Sequence, residues 1–401
     1  MRPNQQYLPG EPTSAARGAA VATVAGPEGE PARRTVLGLL GLAVLTVAGC
    51  APGTDDRRAD ALTGDSRADS DSDSDNGAGG GSAEPGTALW SFGAGRPSRG
   101  PATRYGDVVL CGSGDTLHAL DAADGLLGWE RRTGPASAAP LHHGDGLYVA
   151  LAGSDASGMV VLDPADGSPR WRHSTRLGVF AEPVADGDTV YLCGLDRTVH
   201  ALDAATGQVR WTFETHGQVF NSPVLHEGQL HVATGNGVMH TLDTADGGEL
   251  RRFTGGGQPL APVRAESGLL LLADRVDSRL YALDPATGEE TWSVAAAGGP
   301  TGLATAGDTV LLGAGRRLTA FGTEDGEERW RADAAPEHCP VTVVGTTACH
   351  RSAEAEVVAL DLETGEHRWS HEADGAVLHL ATDGDILYLG ADGKVLTALA
   401  V

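Results

Sequence analysis

A single phrase, repeated at a near-constant interval, constrains this chain more than any other feature. It reads A-L-D-A-A-T-G-Q-V-R-W from Ala201 to Trp211 and returns from Ala282 to Trp292 and from Ala359 to Trp369. Looser copies run from Ala119 to Trp129, Val161 to Trp171, Thr241 to Arg251 and Ala320 to Trp330. The leucine position falls at Leu120, Leu162, Leu202, Leu242, Leu283, Phe321, Leu360 and Leu399. The tryptophan position falls at Trp90, Trp129, Trp171, Trp211, Arg251, Trp292, Trp330 and Trp369. Neighbours in each series are 38 to 42 residues apart, and all seven tryptophans of the chain stand in this register.

A period near that length, made of short strands, predicts an all-β fold: an eight-bladed β-propeller of four-stranded antiparallel blades. The offset between the two series predicts how the ring closes. Trp90 has no leucine before it, and Leu399 has no tryptophan after it. The end of the chain lacks what its start supplies, so the N-terminal strand is expected to complete the last blade. One unit shows the expected strands. The innermost lies near Glu182-Pro183-Val184-Ala185, and Asp186-Gly187-Asp188 makes a hairpin turn. Thr189 to Cys193 is the second strand, Thr198 to Leu202 the third and Gln208 to Phe213 the outer one. In the turn between the last two, Asp203 is placed to accept backbone amides and Gly207 to take a positive φ. Trp211 is then free to pack between blades.

The motif A-x-D-x-x-T-G-x-x-x-W resembles the tryptophan-docking motif of the PQQ-type eight-bladed propellers. That family includes quinoprotein dehydrogenases, the barrel-assembly lipoprotein BamB and sensor ectodomains of bacterial membrane kinases. The resemblance covers about Ala88 to Val401. It implies the fold strongly and the function weakly, because the motif is the structural joint of each blade. The seven tryptophans are accordingly read as blade-docking residues. Blade four departs with Arg251, which implies a looser joint or an arginine bridging acidic neighbours.

Three segments follow from the N-terminus. Met1 to Gly49 reads as a signal peptide with a long polar leader. Arg33-Arg34 precedes an apolar run from Val36 to Ala48, too short to span a bilayer as an ordinary helix but suited to a signal h-region. Val47-Ala48-Gly49-Cys50 resembles a bacterial lipobox, which makes Cys50 the expected lipidation site. Arg33-Arg34-Thr35-Val36-Leu37 also resembles a twin-arginine export signal, and the ordinary secretory route stays open. From Cys50 to Thr87 the chain reads as a disordered acidic linker, with nine acidic and three basic residues. Its alternating aspartates fail as an EF-hand: counting from Asp71, the sixth loop position is Asn76 and the twelfth is Ser82. Ala88 to Val401 is the propeller, long enough for one large core.

The chain carries 54 acidic against 29 basic residues, a net charge of −25. That balance disfavours nucleic acid and anionic lipid as direct partners, so membrane contact is expected through the lipid alone. Cys111 and Cys193 hold equivalent places in non-adjacent blades, too far apart to bridge. Cys339 and Cys349 flank one hairpin, where a disulfide and two buried thiols are both open.

The resemblance also implies an enzyme alternative. A PQQ-dependent dehydrogenase holds its quinone in the central channel, stacked on a tryptophan, with calcium tied to Glu and Asn and an Asp as base. Many have two adjacent cysteines. This chain has no Cys-Cys pair, and each tryptophan is already assigned to a joint. Nearly uniform blades leave little loop to build a pocket. His142-His143 would point to opposite faces of a strand. Hence no catalytic residue, cofactor or metal is expected. What remains is a face of the ring, formed by the interblade loops and the loops between second and third strands. Phe180, Glu182, His216, Phe220, Asn221 and His338 are its candidate binding residues. Phe180 and Phe220 occupy matching places in neighbouring blades and read either as a contact patch or as plugs turned inward. The expectation is an exported, lipid-anchored, monomeric propeller that binds envelope proteins without catalysis. A sensor of small ligands and a quinone-dependent dehydrogenase are the alternatives.

Overall fold

The computed structural model describes residues 83–93, 95–96, 100–154, 156–255, 260–266, 268–334, 339–392 and 395–401. The residues read as a signal peptide and most of those read as a linker, with Cys50 and His338, lie outside them. The described residues form eight four-stranded antiparallel sheets, and the innermost strands of neighbouring sheets lie side by side around a ring.

Blade three shows why this sequence folds so. Its strands are Val184–Asp186, Thr189–Cys193, Thr198–Asp203 and Val209–Glu214. The inner strand begins at Val184 and not at Glu182, because Pro183 has no N–H for a ladder. The Glu182 N–H instead donates to Ser222 Oγ in the next blade, at 3.0 Å. Asp203 Oδ1 accepts from the Thr206 N–H and hydroxyl, at 2.9 and 2.8 Å. Gly207 takes φ 71° and donates to the Asp203 carbonyl. Pairing then slips by one residue, since Ala201 faces Trp211 while Leu202 faces Val209. Arg210 is therefore the extra residue of a β-bulge. The same shift recurs beside the tryptophan position in all eight blades.

The bulge has a use. It lets Arg210 reach Asp203 at 2.8 Å, Asp188 at 3.2 Å and Thr189 Oγ1 at 2.8 Å, tying the inner hairpin to the outer turn. Arg210, and then Thr206, hold the Asp203 carboxyl down to about 2. Arg170 likewise joins Asp163 to Asp145, and Arg329 meets Asp308. Arg368 bonds Asp361, Thr346 and Thr347. These pairs are exposed, so each contributes little alone.

Apolar side chains collect between blades, not in one central core. Eight clusters of buried residues form, each shared by two neighbouring blades. The tryptophans cap them. The indole N–H of Trp90, Trp129, Trp171, Trp211, Trp292 and Trp330 donates to a carbonyl in the following blade, at 2.9 to 3.2 Å. Each ring also lies flat against the motif glycine of that blade. A Cβ on Gly207 would sit 2.4 Å from Trp171 Cε3, so the position excludes side chains by contact as well as by φ.

A second layer lies beside the tryptophans. Phe92 packs on His118, His173 on His200, Phe213 on His240 and Phe253 on Tyr281, with ring centroids 5.1 to 5.5 Å apart. In each pair the first residue stands two after the tryptophan position and the second lies in the third strand of the next blade.

The ring closes as the offset predicts. Ala88–Gly93 is the outer strand of blade eight and pairs antiparallel with Val395–Ala400. The first and last residues of the propeller also rebuild the repeat turn without a direct covalent link. The Gly86 N–H donates to the Ala400 carbonyl and the Ala400 N–H to the Thr87 carbonyl, as Gly207, Asp203 and Gln208 do within blade three. Gly86 takes φ 82°, and its missing Cβ would lie 3.0 Å from Trp369. Glu84 to Thr87, read from composition as the end of the linker, thus take part in this joint.

Blade four is the exception. Arg251 does not bridge acidic neighbours: its guanidinium donates to the Pro285 carbonyl at 2.6 Å and to Gln229 Oε1. The joint is looser, with 3.5 Å from a Gly288 Cβ to the nearest Arg251 atom. Where blades two, three and eight pack Tyr148, Tyr191 and Tyr388 against a tryptophan, blade four has His231. His231 is fully buried, bonded at Nδ1 to Thr241 Oγ1 at 3.0 Å and without a partner at Nε2. Burial, then the charges of His226 and Arg251, push its pKa down to about 4.

This has a pH consequence. A histidine whose folded pKa lies below its unfolded value contributes stability above that unfolded value, near 6.5. The contribution is lost as pH falls through the folded value, and the difference is worth about 3 kcal/mol. Burial lowers His118, His142, His173 and His350 in the same direction. The melting temperature should hold above pH 7 and fall between pH 6.5 and 4. His231→Leu should flatten that slope; a variant as acid-sensitive as the parent would show that His231 is not its source.

Candidate functional site: one face of the ring

Two neighbouring interblade loops carry most of the candidate residues. Thr175 to Pro183 leads into blade three and Thr215 to Pro223 into blade four. Both are pinned. The Val179 N–H donates to the Leu151 carbonyl and the Val219 N–H to the Gly194 carbonyl. Thr215 is buried, and its hydroxyl donates to the Gly217 carbonyl at 2.7 Å. The Glu182–Ser222 hydrogen bond couples the loops and brings Glu182 beside the segment of Phe220 and Asn221.

Phe180 and Phe220 are half-buried, each with one edge against a glycine. A Cβ on Gly178 would lie 3.3 Å from Phe180 Cε2, and one on Gly235 would lie 2.9 Å from Phe220 Cε2. Glu182 and Asn221 are also half-buried. His216 stands apart at the start of its loop, with a left-handed φ of 57° and a side chain 72% exposed. Its nearest ion partner is Glu214, at 3.6 Å. Arg351 spans blades seven and eight by donating to the Val377 carbonyl at 3.1 Å.

The histidine pair separates as strand geometry requires. His142 stacks on Tyr105 of blade one, with centroids 3.4 Å apart, and His143 Nε2 meets the Gly187 carbonyl of blade three at 2.6 Å. The four cysteines of the described region are free and buried, so Cys339 and Cys349 form no disulfide. Burial pushes Cys111 and Cys349 up to about 12 and Cys339 up to about 11. Burial raises Cys193 too. None is a thiolate nucleophile at neutral pH.

The fit of a quinone cofactor can be tested on these residues. An indole to stack on it is lacking, because the seven tryptophans all stand at the blade joints. Nor, among the described residues, do three or more His, Cys, Asp or Glu side chains converge to hold a metal ion. The residues present do not fit the group. No helix among the described residues is long and apolar enough to cross a membrane.

Sequence reasoning missed the arginine ties and the second joint layer. The first had a visible signal: Arg-Trp occurs at Arg170-Trp171, Arg210-Trp211, Arg329-Trp330 and Arg368-Trp369. The second had none, since its partners belong to different repeats and change identity from blade to blade.

Comparison with known proteins agrees with this architecture. BamB from Moraxella catarrhalis superposes with a TM-score of 0.65 at 19% identity, over 79% of this chain and 99% of that one. The computationally designed Ika8 protein gives 0.69 at 16%, over 79% and 100%. Quinohemoprotein alcohol dehydrogenase ADHIIG from Pseudomonas putida HK5 gives 0.64 at 14%, over 78% and 76%. Likeness at these identities shows the fold alone. No curated protein matches the chain in sequence. A family model described as outer membrane protein assembly factor BamB matches residues 80–178, 156–276 and 276–400. Matched over most of its length, the chain belongs to the BamB family of β-propellers.

Proposed function

We propose that this protein is a lipid-anchored, non-catalytic docking module of the cell envelope. The observation that carries the reading is the use of the tryptophans. All seven serve the joints between regular blades, so the chain's largest aromatic surface is committed to holding a rigid ring and not to a cofactor. Such a ring presents short loops on a fixed frame, which suits protein docking. Membership of the BamB family supports the same direction. In this reading Cys50 carries the lipid, the acidic linker is extended by self-repulsion and holds the ring off the membrane, and a single ring acts as a monomer. The docking face is the one bearing Phe180, Glu182, His216, Phe220 and Asn221, with His338 the further candidate read from the sequence. The partner is another envelope protein.

The experiment is a crosslinking pull-down from intact membranes, with the anchored protein as bait and Cys50→Ala as control. One envelope protein recovered reproducibly with the anchored form, through residues of this face, is the expected result. Recovery equal with Cys50→Ala, or of no protein, would remove the anchored docking reading.

A further inference from the structure

The joint between blades one and two is built unlike its neighbours. Where Phe92, His173, Phe213 and Phe253 fill the second layer at four other joints, including both neighbouring ones, this joint has Arg131, and Val160 takes the place of its ring partner. A cleft of about 380 Å³ results, lined by Arg131, Arg132, Thr133, Val160, Leu162 and Arg172 among others. That volume lies within the range of small-ligand sites.

Two guanidinium groups cross this cleft in opposite directions. Arg131 donates from blade one to the Asp166 carbonyl at 3.2 Å, and Arg172 from blade two to the Thr133 carbonyl at 2.7 Å. Both bonds are to neutral oxygens. Neither arginine forms an ion pair among the described residues, whereas Arg170, on the same strand as Arg172, meets both Asp163 and Asp145. The Asp166 carboxylate turns instead to the Ser168 N–H. Arg132 reaches Asp115 at 3.6 Å, but both side chains are exposed. Arg131 Nε is buried and has no partner. Three arginines, Arg131 half-buried and Arg132 and Arg172 exposed, make a positive patch that the Asp166 carboxylate opposes in part, and it is conspicuous in a chain of net charge −25. An anion would offset it. Guanidinium forks match phosphate oxygens with two parallel donors. Val160 and Leu162, buried in the wall, suit the carbon portion of an ester.

We infer that the cleft between blades one and two binds an organic phosphate ester, its phosphate held by Arg131 and Arg172 and its organic part lying on Val160 and Leu162. The site is independent of the docking reading, since a ring that recruits no protein can still hold this ligand.

The test uses the full chain made as Cys50→Ala, so that no lipid confuses the readout. Inorganic phosphate and glycerol 3-phosphate are titrated by calorimetry, and vesicles of phosphatidylglycerol are compared with phosphatidylcholine by co-sedimentation. Binding to glycerol 3-phosphate, tighter than to inorganic phosphate, or to phosphatidylglycerol vesicles is expected; the first arm identifies a soluble ester and the second a lipid headgroup. Arg172→Gln should weaken it about tenfold to a hundredfold, the value of hydrogen bonds to a charged group. Arg131→Phe should abolish it while the melting temperature holds or rises, because phenylalanine is what blades three, four and eight carry at this place. The site is overturned if no probe binds, if Arg131→Phe leaves binding intact, or if sodium chloride at matched ionic strength gives the same response.

Discussion

Deleting Ala88 to Phe92 leaves blade eight with three strands and lowers the melting temperature of the ring sharply. The segment carries Trp90, which is 8% exposed and donates to the Ala122 carbonyl at 2.9 Å. Removing a buried tryptophan alone costs about 3–5 kcal/mol. The deletion also strips the ladder along Val395–Ala400 and exposes the cluster shared by blades eight and one, including Val109, Leu120 and Leu396. A loss beyond about 5 kcal/mol is comparable to the whole stability of many domains. The truncated protein should melt well below the full chain and expand in solution as the ring opens. A synthetic peptide spanning Gly86 to Gly93 should restore part of the lost melting temperature, because the closing contacts are not covalent. Equal melting of truncated and full chains would show that the N-terminal strand does not hold the ring.

The second large effect is at a single joint. Trp330→Ala is expected to cost about 3–5 kcal/mol. Trp330 is 8% exposed, donates to the Leu362 carbonyl at 2.9 Å and lies against Gly365. Its loss leaves an acceptor unpaired and a hole that neighbouring strands cannot close without breaking their ladders. Denaturant unfolding of the purified protein measures the change. Blade four provides the reverse experiment. Arg251→Trp should stabilise by roughly 1–2 kcal/mol, since the indole N–H can take over the Pro285 carbonyl and the ring can seat on Gly288. It should also lessen the acid sensitivity of His231, which loses the neighbouring positive charge of Arg251. A Trp330→Ala variant as stable as the parent would remove the tryptophans from their role as joints. So would an Arg251→Trp variant that is destabilised while the other joints tolerate tryptophan.

The joints also show how far the sequence could be read. Asp203, Thr206, Gly207 and Trp211 act within a dozen residues of each other, so their spacing was enough to place strand, turn and strand. The bulge at Arg210 was harder. It depends on the register between two strands, and only the recurring Arg-Trp pair hinted at it. Phe180 and Phe220 could be assigned to equivalent loops by counting. Their seating on Gly178 and Gly235 could not, because the glycine lies in the same loop for one and in the next hairpin for the other.

Blade number, closure by the N-terminal strand and the odd blade at Arg251 were all present in the chain as written, because each is a property of a repeat and its register. What fills the space between blades was not. The contacts Phe213–His240 and Arg251–Gln229, and the cleft that Arg131 and Arg172 both line, join side chains from different strands or repeats. Their geometry exists once the ring brings those strands together and water is excluded from between them. The cleft of blades one and two arises in this way: neither Arg131 nor Val160 announces a site in sequence, and the vacant volume belongs to the pair.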